Sequence, residues 1–261
     1  MKTTSACCRV LSLAALMLTV QACSDPKSSS TSGPDGGPVP TSRMTINMTV
    51  ESSDLRTAVV RANLNDGRAV GSSYRLDGGD FFRACVSGVC RNMADNDSIT
   101  SPDYIARFDF QSSVDFVVSF NRQGAANAPD SRVALPPTFT IVTPANLQQV
   151  TDGEIVQVTW SPTGAPGRAT LSYEAECTFV SGPNSFSGGA LSTDTNADGR
   201  ESVRIDDIVS FAATNSTSRI TRCSIDFIVR HERQGRIDPA FNNGTALGIV
   251  SREVNVDYIP R

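Results

Sequence analysis

The feature that most constrains this chain is an alternation of apolar and polar residues with a period of two, which recurs between residues 46 and 258. Successive side chains of a strand point to opposite faces, so this period predicts half-buried antiparallel strands. The predicted inward sets are Ile46, Met48 and Val50; Ala58, Val60, Ala62 and Leu64; Tyr104, Ala106, Phe108 and Phe110; Val114, Phe116, Val118 and Phe120; Val156, Val158 and Trp160; Leu171, Tyr173, Ala175, Cys177 and Phe179; Cys223, Ile225, Phe227 and Val229; and Val250, Val254, Val256 and Tyr258. Apart from one predicted helical turn at residues 206–214, the fold class is predicted to be all-β.

Pro136 and Pro137 interrupt the alternation, and a second series of strands begins after them. Strands with turn signals about every 8–12 residues are typical of β-sandwiches. We therefore predict two tandem antiparallel β-sandwich domains, residues 44–135 and residues 136–261.

One segment of the second series carries a family resemblance. The stretch Val156-Gln-Val-Thr-Trp160-Ser-Pro resembles the second strand of fibronectin type III and related immunoglobulin-like modules, in which a core tryptophan precedes a Ser-Pro turn. The resemblance implies an immunoglobulin-like sandwich for this half of the chain.

The N-terminus predicts export. Lys2 and Arg9 precede an apolar run, Val10–Val20, which is too short for a membrane-spanning helix of about 20 residues and is typical of a signal peptide. The following Val20-Gln21-Ala22-Cys23 resembles a bacterial lipobox, and this resemblance implies a signal peptide of residues 1–22, cleavage before Cys23, and a diacylglycerol (palmitate-type) anchor on its sulfur. The alternative is an ordinary secretory signal that is cut near Ala22.

Residues 23–43 are rich in Ser, Gly and Pro, so they are predicted to form a flexible linker. In lipoproteins of Gram-negative bacteria, Asp directly after the lipidated cysteine is typical of inner-membrane retention, so the lipobox resemblance together with Ser24 implies the outer membrane. As a whole, the chain resembles two-domain β-sandwich lipoproteins of Gram-negative bacteria. That resemblance implies a place in the cell envelope, on either the periplasmic or the outer surface, and brings no activity with it.

The cysteines fit an oxidising compartment. Cys7 and Cys8 would leave with the signal peptide and Cys23 would carry lipid, which leaves the even set Cys85, Cys90, Cys177 and Cys223. Three pairings are possible, and the strand pattern favours Cys85–Cys90 and Cys177–Cys223. Ser87-Gly88 would then form the two-residue turn of a hairpin that the first disulfide closes.

Charge and composition exclude several functions. The formal net charge is −4, and no basic run marks a nucleic-acid surface. The single histidine, His231, excludes a two-histidine zinc site and is predicted to be exposed or hydrogen-bonded. Glu174 and Glu176 lie two apart on a predicted strand, on the face opposite Cys177, so we interpret them as solvated charges rather than a catalytic pair.

Asp194-Thr-Asn196-Ala-Asp198-Gly199 matches the first half of a calcium loop. The acid that should complete the loop is missing, because position 205 is Ile. Asp194, Asn196 and Asp198 are thus a weak calcium candidate, and a plain turn between strands is the alternative. We predict no other cofactor.

These observations predict an envelope lipoprotein that is not an enzyme. It would act as a binding or structural module with an unknown protein or glycan ligand. The alternatives are a carbohydrate- or peptidoglycan-associated accessory protein or hydrolase, and a calcium-stabilised adhesin.

Overall fold

The computed structural model describes residues 38–65, 74–96, 102–163, 167–181, 184–195, 199–213 and 219–261, and only the backbone of residues 192–195 and 211–213. The strands before Pro136 are β1 (Thr45–Ser52), β2 (Thr57–Asn65), β3 (Phe81–Val86), β4 (Val89–Asn92), β5 (Ala94–Asp95), β6 (Tyr104–Asp109), β7 (Asp115–Asn121) and β8 (Ala128–Ala134). The strands after it are β9 (Thr140–Thr143), β10 (Gln148–Val150), β11 (Ile155–Ser161), β12 (Arg168–Phe179), β13 (Ser185–Thr195), β14 (Arg200–Arg204), β15 (Ile220–Gln234) and β16 (Asn243–Tyr258).

Among the described residues, two short helical elements accompany the strands. A 3₁₀ turn spans Thr41–Arg43, and helix α1 spans Ile205–Ala213, where the sequence predicted a helical turn. Within the described ranges, no helix combines the length and the apolar character that crossing a membrane requires. The prediction of the all-β fold class is confirmed, because strands dominate the described residues.

The described strands form three sheets. The largest follows the order β13-β12-β15-β16-β1-β2-β6-β5, and β10 adds to β16 off this path. A three-stranded sheet has the order β14-β11-β9, and a four-stranded sheet has the order β4-β3-β7-β8. The described part of the chain therefore builds one large sheet and two small ones.

The period-two alternation is confirmed along most of the predicted strands. In β1 and β2, for example, every second residue is buried, and the intervening residues are half-buried or exposed. Both small sheets pack on the inner face of the large sheet through aromatic side chains. Phe82 of β3 lies 5.4 Å from Tyr104 of β6, and Trp160 of β11 meets His231 of β15 edge-on at 6.3 Å, measured between ring centroids. The opposite face of the large sheet is turned outward.

The two tandem domains predicted at residues 44–135 and 136–261 are not confirmed. Strand β1 pairs in parallel with β16, from Thr45 opposite Asn243 to Ser52 opposite Val250, so both halves share one sheet. All of the described buried apolar side chains except Ala134 and Ile249 form one hydrophobic cluster, and all described residues belong to one compact unit. Alternation specifies which face of a strand is buried and does not specify its neighbour, which is why the sequence missed this parallel pairing.

Buried polar contacts strengthen the junction between the halves. The Asp130 N–H donates to Asp238 Oδ2 at 2.8 Å, and the Asp238 N–H donates to Ser131 Oγ at 3.1 Å. Both Ser131 and Asp238 are buried. Because these partners lie on opposite sides of Pro136, the hydrogen bonds tie the two series of strands together.

The last part of the predicted linker is folded onto the domain. Val39 and Thr41 are buried, and the buried Arg122 donates from Nη1 to Val39 O at 2.6 Å and to Thr41 Oγ1 at 3.2 Å. Arg122 Nε also pairs with Asp80 Oδ2 at 2.8 Å. The linker prediction is wrong for residues 38–43, because an arginine far away in sequence fixes this segment.

Both predicted disulfides are present. Cys85 and Cys90 are opposite each other across the β3–β4 hairpin, with Cα atoms 4.1 Å apart. Ser87 and Gly88 form its turn, with φ angles of 47° and 81°. Cys177 and Cys223 are directly opposite on β12 and β15 and are buried in the core.

Candidate functional site

Most residues of the predicted anchor lie outside the described part of the chain. This applies to the signal peptide 1–22, to Cys23 and to the linker up to residue 37. The calcium candidate is similarly placed, because Asn196 and Asp198 are outside the described residues and the side chain of Asp194 is not described. Within the described residues, no group of three or more His, Cys, Asp or Glu side chains could hold a metal ion.

His231 occupies a different environment from the one predicted. It is only 4% exposed and stacks on Phe139, with ring centroids 4.0 Å apart and an interplanar angle of 19°. Neither ring nitrogen has a hydrogen-bond partner among the described atoms. Burial lowers the pKa of the imidazole. The prediction of an exposed or hydrogen-bonded histidine is wrong, because His231 follows Val229 at the inward period of β15.

The outward face of the large sheet carries carboxylates on three adjacent strands. Glu174 of β12 lies opposite Asp226 of β15, and Asp226 lies opposite Asn255 of β16. Asn255 Nδ2 donates to Asp226 Oδ1 at 2.6 Å. Loss of hydration, and then the negative charges of Asp226 and Glu174, raise the pKa of the Glu253 carboxyl. The negative charges of Asp226 and Glu174 therefore act on Glu253 across this part of the face.

A shallow groove lies beside these carboxylates, at the edge of the sheet. Its volume is about 420 Å³, and we call it the Phe186 groove; it is lined by Glu174, Ala175, Glu176, Phe186, Ser187, Gly188 and Asp226. Phe186 is 74% exposed, which is the highest value among the large apolar side chains described.

Strand register explains the shape of this groove. Phe186 of β13 lies opposite Glu176, and Gly188 lies opposite Glu174, so a bulky ring is followed by a position without a side chain. A Cβ atom built on Gly188 would lie 3.2 Å from Tyr173 O. Because Gly188 has no side chain, the groove stays open between the Phe186 ring and the carboxylates of β12. Asn184 Nδ2 donates to Glu176 Oε1 at 2.9 Å and orients that carboxylate.

A second cavity, of about 430 Å³, lies farther along the same face and includes Glu51, Asp54, Arg61 and Arg230 in its lining. Its charges are balanced. The Asp54 carboxylate already accepts the N–H groups of Arg56 and Thr57 at 2.8 and 2.9 Å, which lowers its pKa. Both signs of charge therefore line this cavity, whereas the charged lining residues of the Phe186 groove are all carboxylates.

The Phe186 groove combines carboxylate acceptors with one exposed aromatic face. Carboxylates accept hydrogen bonds from cationic or hydroxyl donors, and an aromatic face attracts cations and C–H groups. Glu174 and Glu176 lie on the outward face, as their alternation with Cys177 predicted. Their neighbours Phe186, Asp226 and Glu253 were not predicted, because three separate strands bring them together.

Comparison with known proteins adds little to this site. No protein-family model and no curated protein matches the chain. A solved structure of the fibronectin(III)-like modules of Clostridium thermocellum CbhA is similar to it over 84% of this chain and 94% of that chain, with 10% identity and a TM-score of 0.27. A TM-score of this size does not establish a common fold.

Proposed function

We propose that this chain is a non-enzymatic binding module of the bacterial cell envelope and that the Phe186 groove takes its ligand. The carrying observation is the Phe186 ring, 74% exposed beside the carboxylates of Glu174, Glu176 and Asp226. An exposed aromatic side chain in a concave site is typical of surfaces that a partner covers. The ligand would be a protein segment or glycan that presents positive charge or hydrogen-bond donors.

The anchor is part of the same proposal. The lipobox resemblance at residues 20–23 supports lipidation of Cys23, and Ser24 supports the outer membrane. Acyl chains contribute about 0.8 kcal/mol per buried CH₂, so two or more chains on one cysteine would hold the domain at the membrane. Cells fed a labelled palmitate should label the wild-type chain in the membrane fraction, and Cys23→Ala should remove the label.

Retention of envelope components tests the binding site. The full-length chain, purified in detergent, would be immobilised and incubated with envelope extract. We expect Phe186→Ala to lower recovery of the retained ligand, because it removes the apolar wall of the groove. Val142→Ala is the matched control, since Val142 is an exposed apolar residue on β9 with 59% exposure. Equal retention by wild type, Phe186→Ala and Val142→Ala would contradict the proposed site.

A further inference from the structure

Strand β13 is an unusual edge of the large sheet. Within the described residues it pairs only with β12, and its other side has no strand partner. Helix α1 contacts β12 and β13, and its Ile205 and Ile208 belong to the hydrophobic core. The open side of an edge strand presents N–H and C=O groups that can pair with another chain.

The other sheet edges are shorter than β13 or carry proline or charged residues. Strand β5 has two residues, and β4 and β9 have four each. Strand β14 has five residues and carries Arg200, Glu201 and Arg204. Strand β8 contains Pro129, Asp130 and Arg132. Strand β13 has 11 residues, and its segment 185–191, Ser-Phe-Ser-Gly-Gly-Ala-Leu, contains neither proline nor a charged residue.

The groove chemistry determines what kind of strand fits this edge. Neighbouring strands lie about 4.8 Å apart, so a strand added to β13 would have the β12 carboxylates about 10 Å from its backbone. That distance suits a long cationic side chain meeting Glu174 or Glu176. On the way it would cross the Phe186 ring, where a guanidinium gains a cation–π contact.

A second copy of this chain fits the edge poorly. Residues 185–191 contain no lysine or arginine, and the whole chain has a net charge of −4. Pairing two β13 edges would bring two acidic faces together. The charge therefore favours a basic partner over self-association.

We propose that an extended, arginine- or lysine-bearing segment of a partner protein adds to β13 as a further strand and places a basic side chain over Phe186. The inference rests on the proposed function and gives its ligand a chemical class. Main-chain hydrogen bonds would supply pairing, and the Phe186 groove would supply selectivity.

Three synthetic probes test this with the full-length chain in detergent. The first is a fluorescent peptide of about nine residues that alternates arginine and threonine, long enough for one strand. The second is its peptoid counterpart, which carries the same number of guanidinium groups but no backbone N–H donors. The third replaces each arginine of the peptide by glutamate.

We expect the arginine peptide to bind at least tenfold more tightly than the peptoid or the glutamate peptide. Phe186→Ala should weaken its binding roughly two- to fivefold, the range of an exposed cation–π contact. Combining Glu174→Gln with Glu176→Gln should weaken it by about threefold or more. Glu51→Gln is the matched control, because Glu51 lies on the same face in β1. Amide exchange of residues 185–191 should slow only with the arginine peptide.

Equal affinity for peptide and peptoid, or unchanged exchange of residues 185–191, would overturn strand addition. If the chain forms concentration-dependent dimers in which amide exchange of β13 slows, a second copy of this chain, and not a basic partner, pairs with β13. If Phe186→Ala abolishes envelope retention while the arginine peptide fails to bind, the partner class is wrong and the proposed function stands. If retention is unaffected by Phe186→Ala, the proposed function itself fails.

Discussion

At the residue scale, the burial of the polar side chain of His231 destabilises the folded state. Its ring stacks on Phe139 inside the core, and its nitrogens have no partner among the described atoms. The neutral form loses hydrogen bonds with water, and the charged form loses more, which is why burial lowers its pKa. As the only histidine in the chain, it can be tested without interference from another imidazole.

We expect stability to fall as pH drops below about 6.5, the ordinary histidine pKa. Below that pH the unfolded chain binds a proton at His231 that the folded state resists, so protonation favours unfolding. Stability is fully present above the unfolded-state pKa and is lost as pH falls towards the lowered folded-state value. Urea unfolding between pH 5 and pH 8 measures this dependence.

His231→Phe provides the comparison and should remove this part of the pH dependence. Glu253, whose raised pKa acts in the opposite direction, is retained in both proteins and cancels in the difference. Identical pH profiles for the two proteins would show that His231 is not the responsible group.

At the element scale, the two disulfides close loops of very different length. Cys85–Cys90 has a sequence separation of 5 and joins the two strands of one hairpin at a sheet edge, whereas Cys177–Cys223 has a separation of 46 and joins two core strands. The loop-entropy relation gives about 2 kcal/mol for the first and about 4 kcal/mol for the second. Double alanine variants should therefore lose stability in that order in chemical denaturation. A larger loss for the hairpin pair would contradict it.

The close approach of β16 to β8 rests on Gly248. A Cβ atom there would lie 2.3 Å from Ala134 O, so Gly248→Ala requires a backbone shift. We expect a loss of about 1–3 kcal/mol, the usual cost of overpacking. Gly189→Ala is the control, because its Cβ would meet Tyr173 Cε1 at an ordinary 3.5 Å. Similar denaturation midpoints for both variants would contradict a tight β8–β16 contact.

The calcium candidate Asp194, Asn196 and Asp198 begins in the last residues of β13 and continues into the segment before β14. The twelfth position of that loop is Ile205, which is fully buried and has no side-chain carboxylate to act as the bidentate ligand. We therefore expect equal melting temperatures in calcium and in a calcium chelator. A higher melting temperature in calcium, absent with magnesium, would establish a site and favour the calcium-stabilised adhesin.

At the scale of the whole molecule, one shared sheet predicts one unfolding event. Residues 44–135 and 136–261 meet along the β1–β16 ladder and share a hydrophobic core, so neither half keeps its buried surface alone. Scanning calorimetry of the full-length chain should give a single transition with equal calorimetric and van't Hoff enthalpies. Two resolved transitions would favour the independent domains predicted from sequence.

The individual strands could be predicted from the sequence, because the alternation and turn residues that specify a strand lie within a few residues of one another. Alternation in segments such as residues 57–64 identified the buried face, and the Ser87-Gly88 turn set the register that brings Cys85 opposite Cys90. The Phe186 groove could be predicted only in part. Glu174 and Glu176 share one strand, but Asp226 joins them through pairing across a long sequence separation.

The sequence by itself determined the all-β class, the inward face of most strands and both disulfides, because period, turn and spacing act over a few residues. Only the tertiary structure decided that β1 joins β16, that residues 38–43 pack on the domain and that His231 enters the core. It also left β13, the strand of Phe186, paired on one side only among the strands that the structure describes. These features depend on which distant segments meet, and a two-residue period constrains the face of a strand without choosing its neighbour.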